Sequence, residues 1–106
     1  MEWTLVCPLD QIVPDTGVCA LLQDAQVAVF RVGADDVYAI GNVDPHSQAA
    51  VLSRGLVGSI GERIVVASPI YKQHFDLRNG ECIESAAHSV DSYRARIVNG
   101  QVWIAP

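Results

Sequence analysis

The stretch Ser68-Pro69-Ile70-Tyr71-Lys72-Gln73-His74-Phe75-Asp76-Leu77, followed by Asn79-Gly80 and Cys82, decides the reading of this chain. Before it, Arg63 to Ala67 is a short run of β-branched residues that suits a buried strand. Ser68 to Gln73 carries a proline and no period, so it is a loop. His74 to Leu77 alternates as a short strand, and Arg78-Asn79-Gly80 is a hairpin turn, because Asn-Gly accepts positive φ. Glu81–Glu84 then pairs back.

Turn signals at similarly short intervals punctuate the flanking sequence. Strands are predicted over Trp3–Cys7 (with Trp3, Leu5 and Cys7 on one face), Val18–Leu22, Gln26–Val32, Val37–Ile40, Tyr93–Val98 and Gln101–Ala105. Pro8 to Ile12 and Ala49 to Ser53 each allow one helical turn. Gly41 to Gly61 has no clean period and five Gly or Pro residues, the mark of a loop that carries a site. The composition agrees. Fifteen valines and eight isoleucines accompany only two phenylalanines, and stiff β-branched side chains favour pleated strands. The expectation is a single all-β domain over residues 1–106, a small sandwich or barrel of about ten short strands.

Seven basic residues face twelve acidic ones, for a net charge of −5. That balance excludes a nucleic-acid binder, which needs a basic stripe, and disfavours an anionic membrane surface. The longest apolar runs, such as Val18-Cys19-Ala20-Leu21-Leu22, fall far short of a bilayer span. Met1-Glu2-Trp3-Thr4 does not read as a secretory signal, so a cytoplasmic protein is expected. The cysteines at 7, 19 and 82 are odd in number and lack a C-x-x-C spacing, which predicts three reduced thiols packed as small hydrophobes. Ser53 has no His–Asp pattern beside it, and Gly55, Gly58 and Gly61 do not spell a phosphate loop.

The two loops carry a resemblance. A Rieske cluster takes two thiolates and two imidazoles from a pair of loops, one Cys and one His from each. The second loop of such domains commonly reads C-P-x-H-G-x-x-F-D-L; here Ser68 stands at the cysteine and Tyr71 at the histidine. The first commonly reads N-x-C-x-H; here Asn42-Val43-Asp44-Pro45-His46 has Asp44 at the cysteine and keeps His46. One of the four ligands remains, and neither Asp44 nor Ser68 supplies the soft sulfur that iron–sulfur clusters require. Asp44-Pro45-His46-Ser47-Gln48, Val51-Leu52-Ser53-Arg54-Gly55-Leu56-Val57-Gly58 and Ser68-Pro69-Ile70-Tyr71-Lys72-Gln73 together resemble the small-subunit family of assimilatory NAD(P)H-dependent nitrite reductases, across essentially the whole chain. The resemblance implies a Rieske-like fold with no cofactor or catalytic residue in this chain. It also implies a cytoplasmic large subunit that carries FAD, an iron–sulfur cluster and siroheme and reduces nitrite to ammonium.

Other readings stay open at this point. Asp44, His46, Tyr71 and His74 could hold one iron or zinc, although alternation turns His74 away from the face that Phe75 uses. Arg54, Lys72 and Arg78 are either solvated charge or a docking surface for an acidic or cofactor-bearing partner. A Rieske-type ferredoxin of a dioxygenase system and a free-standing interaction module are the rival functions. The docking expectation places Pro45, His46 and Ser47 beside Tyr71, Lys72 and Gln73 at one tip.

Overall fold

Val27, Ala28, Val29 and Phe30 are all buried, so the strand they form has no solvent face. Alternation sends Ala28 and Phe30 into one apolar cluster, with Ile40, Leu52, Val66, Phe75, Leu77 and Cys82. Val27 and Val29 enter another, with Ile12, Leu22, Ala39, Val102 and Ile104. The whole fold is organised by this two-sided strand. The computed structural model describes residues 2–70 and 72–106.

The described strands are β1 (Thr4–Pro8), β2 (Thr16–Leu22), β3 (Ala25–Val32), β4 (Asp36–Gly41), β5 (Leu56–Ile60), β6 (Arg63–Ala67), β7 (His74–Asp76), β8 (Ser92–Val98) and β9 (Gln101–Ala105). All neighbouring pairs are antiparallel. Six strands form one sheet in the order β1-β9-β8-β4-β3-β2, and three form a second in the order β5-β6-β7. Val102 and Ile104 on β9 pack with Val27 and Val29 on β3 although two strands lie between them, so the large sheet is curled into a nearly closed barrel. The small sheet covers the other face of β3 through Val66 and Phe75. Short 3₁₀ turns at Leu9–Gln11, Leu52–Arg54 and Ala86–His88 join the strands. Among the described residues no helix is long and apolar enough to cross a membrane.

The all-β expectation holds, with nine described strands and with corrections to particular ones. Leu56–Ile60, read as part of an irregular loop, is β5. Glu81–Glu84 is no strand; only Cys82 pairs, in a single bridge to Phe75. The Arg78-Asn79-Gly80 turn carries its positive φ at Gly80 (+78°) and not at Asn79. Gly80 is obligatory there, because a Cβ would meet the Val90 carbonyl oxygen at 2.1 Å. Trp3, Leu5 and Cys7 do not share a buried face. A register shift between Leu5 and Cys7 breaks the alternation, leaving Leu5 exposed and turning Val6 and Cys7 towards the barrel core. The apolar strand positions Trp3, Val29, Ile64, Val66, Phe75, Ile97 and Trp103 read as core in the sequence; Val29, Val66 and Phe75 are buried, whereas Ile64, Ile97, Trp3 and Trp103 are half-buried. On β9 the core positions are Val102 and Ile104, one step out of phase with Trp103. Trp3 is held under the guanidinium groups of Arg96 and Arg94, 3.9 and 5.6 Å from its ring centroid.

The cysteines also divide. Cys82 is buried and Cys7 half-buried, but Cys19 is exposed, contrary to the expectation of three packed thiols. One thiol of the three should therefore react rapidly with iodoacetamide in the native protein, and peptide mapping should place the label on Cys19. Rapid labelling of Cys82 would contradict the packing described.

Candidate functional site

The two sequence-marked loops lie at one end of the small sheet. The first, residues 42–55, links β4 to β5. It is anchored by Leu52 in the core and by Asn42, which is 1% exposed. The Asn42 side-chain oxygen accepts the Ser53 N–H (2.8 Å), and its amide nitrogen donates to Gln26 Oε1 (3.3 Å). Between these anchors Asp44 folds the chain on itself. Its N–H donates to the Ala49 carbonyl (2.8 Å), its carbonyl accepts the Gln48 N–H (2.7 Å), and its Oδ1 accepts the His46 N–H (2.8 Å). The second loop, residues 68–73, closes by the Ser68 N–H to the Gln73 carbonyl (2.8 Å) and the Lys72 N–H to the Ser68 carbonyl (3.0 Å), with Lys72 at φ +61°.

The loops are joined at their base by the Ser68 hydroxyl, which donates to Asp44 Oδ2. Both side chains are buried, at 1% and 0% exposure. Burial pushes the Asp44 carboxyl up. The hydrogen bonds from Ser68 and from the His46 backbone, with the His46 ring 3.4 Å from Oδ1, outweigh that and hold it below the ordinary carboxylate value. The His46 ring in turn lies against that of His88, with centroids 4.6 Å apart. His88 Nδ1 is 2.9 Å from Ser85 Oγ, so a third segment braces the tip. Sequence reasoning missed His88; a histidine in a loop with no marked spacing gives no signal of its own.

Of the residues singled out in sequence, the structure brings Asp44, His46 and Ser68 together. Pro45, Ser47 and Gln73 are half-buried in the same two loops, and Lys72 is exposed. Tyr71 lies outside the described residues. His74 is turned away, as alternation requires: its Nδ1 lies 2.6 Å from Glu84 Oε2 and its N–H donates to Glu84 Oε1 (2.8 Å). Burial raises the Glu84 carboxyl and these His74 contacts lower it, with a net shift downward. Among the described residues no three His, Cys, Asp or Glu side chains converge as a metal set.

A [2Fe–2S] cluster does not fit this donor set. Where two thiolates would be needed, a carboxylate and a hydroxyl are hydrogen-bonded to each other. Cys82 is packed in the core beside Phe75, while Cys7 and Cys19 lie on β1 and β2.

The comparisons agree with the fold. The chain matches the Rieske-like [2Fe–2S] domain family over residues 2–105. It is 48% identical over 104 residues to the NADH nitrite reductase small subunit of Escherichia coli K12, covering 97% of this chain and 96% of that one. A crystal structure of the NADH-dependent nitrite reductase small subunit proposed for Mycobacterium tuberculosis superposes with a TM-score of 0.94, at 47% identity over 99% of this chain and 95% of that chain. A nitrite reductase large subunit of Klebsiella oxytoca is 42% identical over 102 residues, which is 96% of this chain and 11% of that one.

Proposed function

The chain belongs to the Rieske-like [2Fe–2S] domain family, among the small subunits of NADH nitrite reductase, and from that premise we propose that it is the cytoplasmic accessory subunit of such an enzyme, without a redox centre of its own. The observation that carries this reading is the end-to-end similarity to the E. coli small subunit. The Klebsiella large subunit supports it, because a unit of this kind is there covalently part of the enzyme's large polypeptide. In this chain the same unit docks on a separate large subunit. The large subunit carries the FAD, iron–sulfur cluster and siroheme that move electrons from NAD(P)H to nitrite.

The work of this chain is then to bind and to hold shape. The Asp44–Ser68 bond fixes the spacing of the two loops that thiolates fix in a cluster-bearing Rieske domain. The loops present Pro45, His46 and Ser47 from one side and Lys72 and Gln73 from the other, a mixture of ring, cation and hydrogen-bonding groups that protein interfaces favour. The whole chain, residues 1–106, acts as one such unit.

The test has two arms. The chain used as bait in a lysate should retain the large subunit, seen as siroheme absorbance in the eluate. The purified chain should be colourless and free of iron. About two irons and two acid-labile sulfides per chain would overturn the cluster-free reading and return the chain to the ferredoxin class. An eluate without siroheme protein would leave a free-standing interaction module.

A further inference from the structure

The small sheet has one bare edge. β7 is closed on its outer side by the Phe75–Cys82 bridge and by the Asp76 N–H to Glu81 carbonyl and Ile83 N–H to His74 carbonyl bonds, both 2.8 Å. No strand pairs with β5 on its other side among the described residues. Sheet edges are ordinarily blunted by charge, proline or a bulge. β5 reads Leu56-Val57-Gly58-Ser59-Ile60 and pairs with β6 through five residues without a register shift.

Its hydrogen-bonding direction follows from its turn. Gly61 and Glu62 form a two-residue hairpin loop, with Gly61 at φ +60°, so Ile60 and Arg63 exchange bonds across it. Alternation then pairs Gly58 and Leu56 with β6 and turns the N–H and C=O groups of Val57 and Ser59 to the open side. The Ile64 carbonyl agrees, because it accepts from Leu77 N–H (2.9 Å) on the β7 side and not from its β5 neighbour Ser59.

The side chains beside that edge also ask for a partner. Leu56 is 80% and Ile60 39% exposed. They flank Gly58, where a Cβ would meet nothing within 4 Å, so a hollow lies between them over Val65 and Ala67. At the loop end this hollow continues into a second, lined by Leu56, Ala67, Arg54 and Lys72. Arg31 and Arg63 are bonded within the chain, and Arg94 and Arg96 lie at Trp3. Arg54 and Lys72 make no ion pair among the described residues. Two uncompensated cations thus sit at one end of an apolar groove, on a chain of net charge −5.

Resting on the nitrite reductase reading, we propose that β5 receives an extended segment of the large subunit by strand addition, with an apolar side chain seated over Gly58 and an acidic one against Arg54 and Lys72. Main-chain bonds to Val57 and Ser59 supply affinity, and the groove with its cationic end supplies register. The added strand runs beside the loop tip, so both form one surface.

Hydrogen exchange of the wild-type chain, alone and in complex with the large subunit, tests this. The Val57 and Ser59 amides should slow about tenfold or more on binding, as amides entering a ladder do. Ser59→Pro removes only an outward N–H at an exposed edge position, where proline is tolerated. It should weaken large-subunit binding about tenfold or more while circular dichroism stays native. Leu56→Glu should weaken it similarly, by repelling the acidic segment, and Arg78→Glu, on the distant turn, should not. If the complex forms but both amides exchange as in the free chain, the inference falls and the subunit reading stands. If no complex forms, both fall. Protection that instead rises with concentration of this chain alone would overturn the proposal in favour of a second copy.

Discussion

Phe75→Ala is expected to lower the unfolding free energy by about 3–5 kcal/mol, the cost of truncating a fully buried ring. Phe75 is 0% exposed and stands where the small sheet meets the large one, among Phe30, Leu52, Val66 and Leu77. β7 is only three residues long, so its neighbours are pinned by bridges and loops and cannot collapse into the space left. Chemical denaturation would read the loss as a lower midpoint at unchanged slope. A change well under about 1 kcal/mol would mean the ring does not join the two sheets.

Asp44→Ala is the second large effect. It leaves the Ser68 hydroxyl and the His46 N–H without their acceptor at a site closed to water. Each buried orphan costs about 1–3 kcal/mol, so the sum expected is about 2–6 kcal/mol. The loops also lose the bond that joins their bases, and large-subunit binding should weaken with stability. The pH dependence has a fixed sign. The Asp44 carboxyl is held below its ordinary 3.8, so its stabilisation is complete above that value and is lost as pH falls through the lower folded value. Asp76, whose carboxyl is raised by burial but lowered further by Arg63, acts in the same direction. Wild type should thus lose stability in acid more steeply than Asp44→Ala, with some slope left from Asp76. Identical acid limbs in the two proteins would contradict the bond network.

The sequence made most of the sheet visible because its strands are bounded by strong turn residues, and the tip visible because Asp44 and Ser68 sit in a recognisable frame. What was hidden has physical causes. β5 was hidden by its composition: Leu56-Val57-Gly58-Ser59-Ile60 contains a glycine and lies among other glycines, so it lacks a strand's period. Its existence depends on pairing with β6, a non-local contact. The phase of β1 was hidden because a bulge adds a residue that no alternation rule anticipates. Trp3 and Trp103 misled because large rings count as core by size, yet Trp3 is stabilised by lying beneath Arg96 and Arg94 at the surface. The place of Asp44 at the tip was legible; that it is fully buried and bonded across to Ser68 was not, since burial of a carboxylate depends on partners distant in sequence.

We propose that this chain joins the large subunit without bringing a redox centre of its own. The visible spectrum of the co-purified complex, scaled per large subunit and set against the large subunit alone, tests it most directly. Siroheme absorbance should co-elute with this chain, and the two scaled spectra should coincide. Extra absorbance of the [2Fe–2S] type in the complex would mean that the chain holds a cluster, and siroheme that never co-elutes with it would mean that it is no subunit of the enzyme.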